Sequence, residues 1–229
     1  LPRFMGVRAF DIVAFETAIR TLVRALDAAH GGAGSPRRSI LIRLEGLAAL
    51  LMRAGVAYDS DESRALAAGA AALAHAAAIS ESAALAAAKS AYPEWSRAKR
   101  QEEAIVKVAR DASSTLKGAI ADHAQSLYRA LPGPKNAGLR CAVSIAFAND
   151  AASARAIGAT APGLAPAQTI AIYGQRDDGG FGRLLSDDVR NALSALGYDG
   201  EEVAAIAQHI EGRRTLRGAP GVSLDRLAQ

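Results

Sequence analysis

The chain is poor in the residues that most often carry chemistry. It has one cysteine, Cys141, in 229 residues, which excludes a disulfide framework and a CxxC metal or redox pair. Its four histidines, His30, His75, His123 and His209, stand apart, so no HxxxH or HExxH ligand pair is present. No GxSxG elbow or Walker loop appears. Aromatic residues are only 5% of the total, and Ala is the commonest residue, a composition that suits closely packed helices better than thick β-layers. Neither sign of charge dominates: 27 Lys and Arg face 23 Asp and Glu, for a net +4. The basic residues form only small clusters, at Arg37-Arg38, Arg97 to Arg100 and Arg213 to Arg217, and acids such as Glu102 and Glu103 interrupt them. A nucleic-acid binder shows a denser basic stripe, so these clusters are expected to be solvated helix faces. The one long weakly charged run, residues 65–88, is mostly Ala and too weakly apolar for a membrane span. No secretory pattern opens the chain, and a cytoplasmic protein that does not enter membranes is the expectation.

What is present reads mainly as helix. Asp11 is placed to cap a first helix carrying Ile12, Phe15, Ile19, Leu22, Val23 and Leu26 at three- and four-residue spacing. A second helix is expected over Ile40, Leu41, Leu44, Leu47, Ala48, Leu51 and Met52, ending near Gly55. Asp59 followed by Glu62 suggests a capping box for the Ala-rich helix. Pro93 breaks the chain, residues 94–116 read as a charged amphipathic helix, and residues 120–131 as a shorter one. The Pro- and Gly-rich residues 132–138 are the strongest punctuation. Beyond them the runs 141–147 and 169–173 have strand character, Asp177-Asp178-Gly179-Gly180 reads as a turn, Ser186 caps a helix that ends at Gly197, and Asp199 starts a last helix. The expected fold is mainly α with a small α+β C-terminal part, a helical bundle packed on a few short strands. It divides into a helical region 1–131 and a smaller α+β region 132–229, with one continuous domain as the alternative. Cys141, in an apolar run, is expected to be a buried structural thiol. His75 is expected to be a packing residue, and Trp95, beside Tyr92 and Pro93, a plug over a helix junction.

Three segments taken in order resemble the adenosylcobalamin-dependent (class II) ribonucleotide reductase family. Gly46-Leu47-Ala48-Ala49-Leu50-Leu51-Met52-Arg53-Ala54-Gly55-Val56-Ala57-Tyr58-Asp59-Ser60 resembles a family helix "NLGALLM" followed by a "PYDS" turn. Asn191-Ala192-Leu193-Ser194-Ala195-Leu196-Gly197-Tyr198 is the second. Gly212, Thr215, Leu216 and Gly218-Ala219-Pro220-Gly221-Val222 resemble the family's "GTLKGAPGI" turn. The order and spacing agree with the part of that enzyme downstream of its active-site cysteine loop.

The resemblance also marks what has changed. In the family a "PTGTIG" loop after a strand holds substrate phosphate, using backbone N–H groups and glycines that admit close approach. Its positions here are Asn149, Asp150, Ala151, Ala152, Ser153 and Ala154. Both glycines have become Ala, and Asp150 places a carboxylate where an anion would sit. The family's "TTGIEP" corresponds to Ala161-Pro162-Gly163-Leu164-Ala165-Pro166, with its acid replaced by Ala165. Leu41, Arg43 and Ala48 stand where family glycines are expected. The sequence therefore offers no catalytic residue, metal ligand or cofactor site. A non-catalytic reductase-like protein acting through a protein partner or self-association is expected, binding neither nucleotide nor nucleic acid. The alternatives are a split or truncated adenosylcobalamin-dependent reductase subunit and a basic helical nucleic-acid-binding module.

Overall fold

A computed structural model describes residues 1–6, 9–30, 35–131, 138–156, 161–176, 179–213, 217 and 221. The Gly-rich residues 31–34, the punctuation at 132–137, Asp177-Asp178, and Thr215, Leu216, Gly218, Ala219, Pro220 and Val222 of the last family-like turn lie outside the described residues. The chain forms two compact units, Leu1–Pro166 and Ala167–Gln229. The strand that follows residue 138 pairs with a strand from the helical region and belongs to the first unit.

The first unit contains α1 (Ile12–Ala29), β1 (Ile40–Leu44), α2 (Leu47–Ala54), α3 (Asp61–Lys89), α4 (Trp95–Ser113), α5 (Ala119–Ala130), β2 (Val143–Phe147) and α6 (Ala151–Ala156). Asp11 caps α1 as expected, its carboxylate accepting the Ala14 N–H at 2.9 Å. Phe15, Ile19 and Val23 form the buried stripe of that helix, the four-residue spacing that places side chains on one face. The Ala-rich α3 packs against α1, α4, α5 and β2. Its buried residues Ala70, Leu73, Ala74, Ala76, Ala77 and Ile79 cover more than one side, which explains why the stretch shows no narrow apolar face: small side chains let several neighbours approach one axis. By length and composition α3 could cross a membrane, but 56% of its most apolar 18-residue window is buried against these neighbours. Its cap is Ser60, which accepts the Ser63 N–H at 3.0 Å, and not Asp59.

One expected helix is half strand. Residues 40–44 form β1, which runs parallel to β2 in the register Ile40↔Val143 through Leu44↔Phe147. Ile40, Ile42 and Leu44 are buried while Leu41 and Arg43 are exposed. That alternation has a period of two, but Ile40, Leu44, Leu47 and Leu51 also satisfy helical spacing. The left-handed Gly46, at φ 78°, separates strand from helix, and only the distant partner β2 decides between the two readings.

The second unit is a hairpin of β3 (Ala171–Gln175) and β4 (Phe181–Leu185), followed by α7 (Asp187–Ala195) and α8 (Gly200–Glu211). Strand β3 lies two residues later than the expected run, and β4, broken by Gly182, carried no strand signal. Both helix starts match expectation. Ser186 accepts the Val189 N–H, and Asp199 with Glu202 forms a full capping box. The described residues are mainly helical, with four short strands.

Candidate functional site

The turns that leave the two parallel strands meet at their carboxyl ends, the position where α/β folds place ligand-binding loops. Leu44 accepts the Ala148 N–H at 3.0 Å, so β1 and β2 end together. The chain from β1 then passes through Glu45 and Gly46 into α2. Glu45 is buried, and its Oε2 accepts the Gly163 N–H at 2.7 Å. The Gly163 carbonyl in turn accepts the Leu47 N–H at 3.2 Å. Gly163 is required here, since its φ is +49° and a Cβ would lie 1.7 Å from the Ala148 carbonyl oxygen. The Tyr58 hydroxyl donates to the Leu164 carbonyl. The family-like turn at 161–166 is therefore held against both strand ends.

Asp150 dominates the loop after β2. Its Oδ1 accepts the Ala152 N–H at 3.0 Å and its Oδ2 the Ser153 N–H at 3.2 Å. The Ser153 hydroxyl also donates to Oδ2. Arg43 stands 3.9 Å away across the strand pair. Hydrogen bonds from Ser153, then from the Ala152 and Ser153 backbone, hold the Asp150 carboxyl below the usual range. Asn149, Ala151 and Ala152 face solvent, while Ala154 is buried. The first backbone donors of the short α6 are thus already taken by a carboxylate of the same loop, which is N-capping geometry.

A second polar cluster escaped the sequence reading. Asp27 is buried in the first unit and accepts from Arg38 at 2.6 Å, Lys89 at 2.9 Å and Arg140 at 3.0 Å. Burial pushes its carboxyl up, but hydrogen bonds from Lys89, Arg38 and Arg140 outweigh this and hold it at about 2. Its partners lie 11, 62 and 113 residues away, beyond any local pattern. One signal was available: Asp27 continues the four-residue stripe of Phe15, Ile19 and Val23. Cys141 lies beside this cluster, fully buried, its backbone N–H donating to the Ser82 hydroxyl at 2.9 Å. Burial and the neighbouring Asp27 raise its thiol pKa, so the thiolate that reactive cysteines need is disfavoured. A third network links Arg24 and Arg20 to the buried Glu81, and Arg20 and His123 to Glu16. Both clusters tie helices together.

Parallel strands joined through helices, with their exit turns gathered at one end, define an α/β unit of the kind that builds barrels and open sheets. The family described as "Ribonucleotide reductase, barrel domain" matches residues 1–228, and the chain belongs to that family. It is 27% identical over 240 residues to a "Vitamin B12-dependent ribonucleotide reductase" of Streptomyces clavuligerus, covering 96% of this chain and 25% of that protein. A protein of the same description from Streptomyces coelicolor is 28% identical over 237 residues, covering 95% of this chain and 24% of its own length. One from Rhodopirellula baltica is 24% identical over 235 residues, covering 96% and 23%. The chain spans about a quarter of the length of these curated relatives.

The relatives' description includes vitamin B12. His30, His75 and His123 are engaged with Ser39, Tyr128 and Glu16. Cys141 is sealed, and no cluster of three His, Cys, Asp or Glu side chains suited to a metal occurs among the described residues.

Proposed function

We propose that this chain is a non-catalytic member of the ribonucleotide reductase family that acts through protein contacts, as a regulator or accessory of a complete reductase. The observation that carries this reading is the Asp150 carboxylate on the Ala152 and Ser153 N–H groups. In the family resemblance these are phosphate-loop positions. A phosphate arriving there would meet a negative charge, and two of its natural donors are already bonded. The scaffold beneath the loop is kept by contrast: strand, exit turn and the Gly163 clamp are all formed. Selection for a folded surface without the site's chemistry would leave this combination.

The alternative reading is a split reductase subunit completed by another chain. One assay separates the two. The chain is added to a vitamin B12-dependent reductase, with adenosylcobalamin, a dithiol and a nucleoside diphosphate, and deoxynucleotide is measured. The accessory reading expects no product from the chain alone and a changed rate when it is added to a complete enzyme. Product formed only when the chain joins an inactive companion lacking this region would overturn it.

A further inference from the structure

We draw no further inference here: the strongest candidate, the open cavity of the second unit lined from α7 and α8 by Arg190, Gln208, Glu211 and Arg213, carries none, because Arg190 already donates to Glu211, Gln208 and Arg213 are exposed, and nothing in the structure shows what would fill it.

Discussion

Replacing Asp27 by Asn is expected to be among the most damaging single-atom changes in this protein. The Asp27 side chain is 1% exposed, and its partner Arg38 is 9% exposed. Arg38 also donates to the Asp27 carbonyl at 2.6 Å, so it cannot swing into water without losing a second bond. The Asn amide keeps the volume but removes the charge that compensates three cations. Breaking a buried pair by removing one partner costs about 3–5 kcal/mol, because the remaining charge is left uncompensated. Lys89 is half exposed and can rehydrate, which places the expected loss near the lower end, at about 3 kcal/mol. With a urea dependence of about 2 kcal/mol/M, the midpoint of unfolding should fall by roughly 1.5 M. Lys89→Met is the control. It leaves Arg38 and Arg140 on Asp27, and it should cost under about 1 kcal/mol. Urea titrations followed by circular dichroism measure both. An Asp27→Asn midpoint within about 0.3 M of wild type, or equal losses in the two variants, would refute the reasoning. The pH dependence has a definite sign. The folded carboxyl titrates at about 2, below its ordinary 3.8. Its contribution is present above about pH 4 and drains as the pH falls toward 2, and the Asn variant should lack that loss.

His75 is held neutral by burial, its pKa lowered from 6.5, so its contribution is full above about pH 6.5 and is lost as the pH falls through the folded value. Thermal unfolding of His75→Gln should therefore show a shallower decline between about pH 7 and pH 5 than the wild type; parallel curves would count against it. Gly163→Ala forces a Cβ against the Ala148 carbonyl at positive φ and should cost at least about 2 kcal/mol, read by urea titration, while Gly179→Ala, whose Cβ meets nothing within 4 Å, should cost less. Leu73→Ala, at a fully buried position of α3, should cost about 2–5 kcal/mol; a loss under about 1 kcal/mol would mean that the α3 core is not packed as described.

Much of the fold could be read along the chain wherever the deciding contacts are local. Asp11, Ser186 and Asp199 cap the helices expected of them, since a cap depends on the next three residues. The failures share a cause. Residues 40–44 fit two periodicities, and the partner that chooses strand, β2, lies 103 residues later at Val143. Punctuation at residues 132–138 likewise does not show which strands pair, and β2, which follows it, pairs with β1. Strand β4 contains Gly182, a weak strand former, and is held by its register with β3. The turns around Asp150 and Gly163 were legible as positions through the family resemblance, and Glu45, just before the first family-like segment, was not. How they fit together was not, because the Glu45–Gly163 bond spans 118 residues. Asp27 was overlooked because charges at helix positions are usually solvated, and its partners come from three other segments.

We propose that the Asp150 carboxylate, which caps the Ala152 and Ser153 N–H groups, leaves this loop unable to hold phosphate. Isothermal calorimetry with a nucleoside diphosphate, run beside the matching nucleoside, tests it most directly. The account expects no binding to either up to about 1 mM, weaker than about −4 kcal/mol. Micromolar binding of the diphosphate that disappears with the nucleoside would contradict it.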